Sequence, residues 1–401
     1  MRTANNQGDL MEQKKKNLLF GIVILKTIVT NLFGAITTIL ILDIADSFGL
    51  STSELGGLLS ANYVASVLMP LIAGRLGDLF GKKRVLIVSV IIHIIGILIT
   101  AWSPTALLYS IGVIIAGIGA SAENSVITPS LADIYPEKAT QYITLLHVAA
   151  SVAGMIGPLL VNLLHVHLGL GWREQKLLSL IVLLLPSISL FFVKLDSQKT
   201  GKPAHGFREV ARLLSDPVLL WGAVTLMLYC ATDNTYTNFL SLFYQERFGA
   251  IGAGVLALTL HNTMYVIARF AVSFLKKGRQ WIGFCSLGLS AVFLFFMATA
   301  NSSTAALIFG ALYSFCFAPV YSFIVSDAAI SFPGNSATAT SFMFSSGSLG
   351  CMLITLFAPR VAGAHGTNSL FLILAATSLA AMLVYKIYAA YTRKKRAQLS
   401  R

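Results

Sequence analysis

Twelve runs of apolar residues, each about long enough to cross a bilayer, divide this chain. They lie near residues 18–42, 55–74, 84–101, 106–129, 140–164 and 175–193, then near 217–244, 254–275, 281–299, 304–327, 338–360 and 368–391. A helix needs roughly 20 apolar residues to cross about 30 Å of hydrocarbon, and a helix satisfies its own backbone there. The pattern predicts an all-α membrane protein of twelve spans, one to twelve in chain order. One long hydrophilic stretch, 194–216, contains Gly201, Pro203 and Gly206 and separates six spans from six. The expected organisation is a first bundle over 1–193, a central loop over 194–216 and a second bundle over 217–401. The polar residues 1–17 precede an apolar run too long for a signal peptide, so that run is expected to stay as span one.

Composition agrees. Of 401 residues 56% are hydrophobic and 11% charged, against about 25% charged in soluble domains. Twelve spans leave no room for a sizeable soluble domain, and no nucleophile–base pair, metal cluster or phosphate loop is recognisable, so an enzyme is not expected. Cys230, Cys285, Cys316 and Cys351 fall singly inside apolar spans and read as small core residues, neither disulfide-linked nor metal-binding.

Charge orients the array. With the N-terminus inside, 23 of the 29 lysines and arginines fall on inner segments, four on outer segments, and Lys26 and Arg269 within spans. Both termini are therefore expected on the cytoplasmic side of the cell membrane. The net charge of +13 then reflects topology and anionic headgroups and does not argue for nucleic-acid binding. Trp102, Trp172, Trp221 and Trp281 all fall at span ends, where indole rings favour the interface.

The halves are related. A shift of 200 superposes Thr37 on Thr237, Asp46 on Glu246, Phe48-Gly49 on Phe248-Gly249 and Asn62 on Asn262, and a shift of 197 places Pro136 on Pro333. Parallel six-span repeats occur in carriers that bind solute at the midplane between halves.

The loop after span two reads Gly74-Arg75-Leu76-Gly77-Asp78-Leu79-Phe80-Gly81-Lys82-Lys83-Arg84. Its glycines permit a tight turn and close backbone approach. Asp78 is suited to accept from helix N-terminal amides and to pair with a basic neighbour. Gly74, Arg75, Asp78, Gly81, Lys82, Lys83 and Arg84 are therefore candidate gate residues, with Arg269 of span eight as a second latch or a snorkelling cation. The loop resembles the signature of the major facilitator superfamily, and the resemblance covers essentially the whole chain. It implies two pseudo-symmetric six-helix bundles around a cavity that opens alternately to each side. In the second half only Arg269 and the basic cluster at 276–279 remain, without the aspartate.

A narrower resemblance rests on other segments. Span four contains Gly117, Gly119, Glu123 and Asn124, followed by Asp133, Tyr135 and Pro136; span five contains Leu145-Leu146-His147 and Gly157-Pro158. Span seven carries Asp233-Asn234 and, five residues after the acid, Asn238-Phe239-Leu240. These resemble the fucose–galactose–glucose:proton symporter branch, which carries acids in spans four and seven. An ungapped alignment puts Asn124, not Glu123, on the span-four acidic position, and one residue rotates a helical side chain by about 100°.

Acids within spans usually mark an ion or substrate path. Asp233 is the expected proton-coupling acid and Glu123 a weaker second; the inner-gate partner of a lysine is the alternative for Glu123. Asn31, Asn124, Asn234, Tyr236, Asn238 and His147 are the expected substrate contacts. Lys26 must snorkel to the inner surface or meet an acidic partner or an anionic group of the substrate. The favoured reading is proton-coupled symport of a small, sugar-like solute by a monomer, with no cofactor beyond the proton gradient. Proton-linked efflux and a non-transporting receptor on a carrier fold are the alternatives.

Overall fold

Leucine-, isoleucine- and valine-rich runs with few charges favour helix, and helices are what the computed structural model contains. It describes residues 2–34, 36–49, 52–192, 212–275 and 278–399. Most of the central loop, with Gly201, Pro203 and Gly206, and the lysines at 276 and 277 lie outside the described residues. Among the described residues there is no strand.

Span one is a broken helix, Arg2–Gly34, Ile36–Ile39 and Ile41–Phe48. Spans two to six are Thr52–Phe80, Lys82–Ala101, Ala106–Ile134, Ala139–Leu168 and Trp172–Phe192. Spans seven to nine are Pro217–Phe248, Ile251–Ser273 and Arg279–Thr299, and span ten is the pair Ser303–Phe317 and Pro319–Ser331. Spans eleven and twelve form one stretch, Ser336–Leu399, interrupted at Gly366 with φ 76° and ψ 162°. That conformation suits glycine alone, and it replaces the longer connection expected from hydropathy. The architecture is the major facilitator fold.

Local signals set the boundaries. Asp216 caps span seven through Val218 N–H, with Pro217 in the first turn. Thr105 and Ser302 cap spans four and ten. Glu246, at the far end of span seven, accepts from Thr367 N–H at 3.1 Å and its hydroxyl at 2.7 Å, anchoring the start of span twelve.

Without a hydrophobic force between helices in lipid, packing depends on close backbone approach. Spans three and four meet through Gly96 and Gly119. A Cβ on Gly96 would lie 2.2 Å from Ala116 N, and one on Gly119 would lie 2.4 Å from His93 N. In the second bundle an aromatic core gathers Tyr229, Tyr236, Phe243, Tyr313, Phe317 and Phe371. Leu107, Leu159, Ile181 and Leu185 point outward, as lipid-facing positions should. Trp102 and Trp281 are exposed at span ends, but Trp172 is buried. Its indole donates to Ser47 Oγ at 3.0 Å and packs on Phe48 and Tyr109, so it closes a bundle end instead of anchoring in headgroups.

Candidate functional site

The bundles meet at the end of the molecule that carries the basic loops. Gly74 and Gly77 of span two lie flush against Ser341 and Ala337 of span eleven. This brings Asp78 over the first turn of span eleven, where it accepts from Ala337 N–H at 3.2 Å, Thr338 N–H at 2.7 Å and the Thr338 hydroxyl at 2.6 Å. Unpaired amides and the positive pole of the helix dipole favour a carboxylate there. Gly81, at φ 93°, turns the chain so that Lys82 runs back inward. Lys82 is buried, pairs with Asp133 of span four and donates to Ser336 Oγ at 2.6 Å. Arg75 and Lys83 are partly buried and Arg84 is exposed. Lys82, which pairs with Asp133, acts on Asp78 only through its charge, and the hydrogen bonds of Asp78 cross the bundle interface to span eleven.

Two more bonds join the bundles near this end. Arg279 donates to Thr140. Arg269 donates to Ser151 Oγ at 2.7 Å and to the Ala318 carbonyl at 3.2 Å, with its guanidinium 4.8 Å from the Tyr265 ring centre. Arg269 is therefore held by span five of the other bundle and does not snorkel.

Above these contacts lies a cavity of about 350 Å³ between the bundles. Span one contributes Thr27 and Asn31, span four Ser121 and Asn124, and span five His147. Across from them stand Cys230 of span seven, Tyr321 of span ten and Cys351 of span eleven. Asn124 is exposed although its neighbours Glu123 and Ser125 are buried. Asn31 donates to its own helix at Thr27 O, 2.8 Å away. His147 meets the Tyr321 ring edge-on at 5.1 Å, and its Nε2 has no hydrogen-bond partner among the described residues.

Glu123 faces the other way. It pairs with Lys26 and lies 3.3 Å from His93 Nδ1, all three being buried between spans one, three and four. Lys26 thus meets an acid inside its own bundle. Asn124, one residue on, occupies the cavity wall.

Asp233 stands one helical turn beyond Cys230, away from the basic end, with its side chain 29% exposed. The Tyr265 hydroxyl donates to Asp233, His261 Nε2 lies 3.6 Å away, and the Tyr229 hydroxyl donates to Tyr265 at 3.2 Å. His261 Nδ1 is 2.9 Å from Ser314 Oγ, whose own hydroxyl donates to Gly310 O at 2.7 Å. Asn238 is exposed and donates to Asn234 Oδ1 at 3.1 Å. Tyr236 is 1% exposed, packed against Tyr313 and Phe371 in the core of the second bundle. A solute in the cavity does not reach it.

The sequence points to Asn31, Asn124, His147 and the Asp78 loop in this region, and it assigns no role to Ser151, Asp133 or Thr338. These are common residue types whose importance lies only in whom they touch. Asp133 alone left a signal, an acid beside a span end.

Comparison with known proteins agrees with this architecture. An Escherichia coli fucose:proton symporter superposes with a TM-score of 0.78 at 16% identity, covering 95% of this chain and 99% of that one. A D-xylose transporter of Levilactobacillus brevis is 29% identical over 174 residues, 41% of this chain and 38% of that protein. A class H tetracycline resistance protein of Pasteurella multocida is 36% identical over 110 residues, 27% of each chain. The chain spans less than half the length of the curated relatives it matches. The sequence profile of the Major Facilitator Superfamily matches residues 22–254. With the two-bundle fold and the cavity between the bundles, that match places this chain in the Major Facilitator Superfamily, to which it belongs.

Proposed function

We propose that the protein is a proton-coupled symporter of a small polar, sugar-like solute, with its basic end cytoplasmic. The observation that carries this reading is the cavity of about 350 Å³ between the bundles, with Asn31, Asn124 and His147 on its walls, bounded toward the basic end by the Asp78 and Arg269 contacts. Cavities of roughly 300–1,000 Å³ hold small molecules. Asn31, Asn124 and His147 offer groups for hydroxyl recognition. Asp233, with its side chain 29% exposed, is the coupling acid: protonation removes the charge that Tyr265 and His261 face. Glu123, tied to Lys26, supports the first bundle and is the weaker coupling group.

The test is uptake into proteoliposomes. Labelled hexoses and deoxyhexoses should accumulate when an inward proton gradient is imposed, and collapse of the gradient should abolish accumulation. Failure of every sugar would overturn the reading. Extrusion of dyes against the gradient would establish proton-linked efflux, a second reading favoured by the likeness to a tetracycline resistance protein.

A further inference from the structure

Two of the four cysteines, 121 residues apart in sequence, meet on one wall of the cavity. Cys351 of span eleven directs its thiol at the Cys230 carbonyl of span seven, 3.4 Å away. Neither is in a disulfide, and both are partly buried and border the cavity. Cys285 and Cys316 do not line this cavity.

The pair is held by backbone. A Cβ on Gly347 would lie 2.8 Å from Cys230 Sγ, and one on Gly350 would lie 2.2 Å from Met227 O. Spans seven and eleven therefore touch main chain to side chain at this level and cannot slide apart without losing close packing. Both belong to the second bundle, so a ligand bridging them does not need the bundles to be in one particular arrangement. It needs only access through the cavity.

We propose that Cys230 and Cys351 form a dithiol site for soft, thiophilic ligands of the trivalent organoarsenical class. With phenylarsine oxide the reaction is a condensation. Two S–As bonds form, two S–H bonds break, and the arsenic-bound oxygen leaves with both protons as water, with no change of oxidation state. The first bond brings the arsenic to the second thiol, so ring closure is intramolecular. Such linkage raises apparent affinity by about 10²–10⁴ over a single contact. The ligand would project toward His147 and Asn124 and occlude the cavity. This site does not depend on which solute the protein carries.

The experiment uses the full chain in detergent micelles, treated with phenylarsine oxide and then with an excess of a monothiol. Intact-mass measurement should show one phenylarsenic group per chain, retained against the monothiol and released by 2,3-dimercaptopropanol. Cys230→Ser and Cys351→Ser should each lower retention at least about 10²-fold, whereas Cys285→Ser and Cys316→Ser should leave it unchanged. In the unsubstituted protein, peptide mapping after alkylation should find Cys230 and Cys351 protected together. Absence of a retained adduct, its persistence in either single serine variant, or protection of Cys285 or Cys316 instead would overturn the proposal.

Discussion

Replacing Asp78 by asparagine should release the basic end of the molecule while leaving each bundle folded. The carboxylate accepts three hydrogen bonds from Ala337 and Thr338, all across the bundle interface. Hydrogen bonds to a charged group contribute about 1.5–3 kcal/mol each, neutral ones about 0.5–1.5. An asparagine keeps one acceptor oxygen, so about one bond disappears and the others weaken. Loss of the charge at a helix N-terminus removes a further ~0.3–1 kcal/mol. Together the closed arrangement should lose about 2–3 kcal/mol, a shift of roughly 30–150-fold in the equilibrium between closed and open basic ends. Spin labels on Glu137→Cys and Leu275→Cys, both exposed and on opposite walls of the basic-end cleft, report that separation by pulsed dipolar spectroscopy. The Asp78→Asn background should move population to a longer distance. An unchanged distance distribution in a monodisperse, folded sample would refute the assignment of Asp78 as a latch.

Three further outcomes are expected. Asp233→Asn should abolish accumulation against a gradient, bringing the ratio to about one, while solute exchange at equilibrium continues; normal accumulation would remove Asp233 from the coupling role. Lys26→Met should destabilise the first bundle by about 3–5 kcal/mol, because Glu123 is left charged and buried with only His93; a thermal melt should show it, Glu123→Gln in the same chain should restore part of the loss, and an unaltered melt would contradict the pairing. Gly119→Val places its Cβ in the His93 backbone and should cost about 1–3 kcal/mol as overpacking, read as a lower melting temperature, with wild-type melting as the disproof.

Much of this fold was legible from hydropathy because a span must supply its own apolar surface, residue by residue, along the sequence. The loop at 74–84 was legible for a similar reason, its glycines and charges being contiguous. The interior was harder. Glu123 and Asn124 differ by one residue, and only helix phase decides that the amide faces the cavity while the acid faces Lys26, 97 residues away. Tyr236 lies in the matched span-seven segment but on its core face, a distinction that the weak amphipathicity of this helix does not reveal. The Cys230–Cys351 pair and the Arg269–Ser151 contact join distant spans, and nothing in the spacing of either partner announces the other. Gly366 was hidden because one residue in an unusual backbone conformation does the work of a loop.

The Lys26–Glu123 pair also constrains how the protein is made. A lone lysine at the centre of a span raises the free energy of insertion by about 2.5–3.5 kcal/mol or more. Its partner lies 97 residues downstream, and at about 5–20 residues per second synthesis takes roughly 5–20 s to reach it. During that interval span one carries an unneutralised cation and must wait at the insertion site or hold its ammonium at the headgroups. Span four then acts as an intramolecular counter-charge that completes the placement of span one, so a chain truncated between spans three and four should leave its first helix shallow and open to degradation.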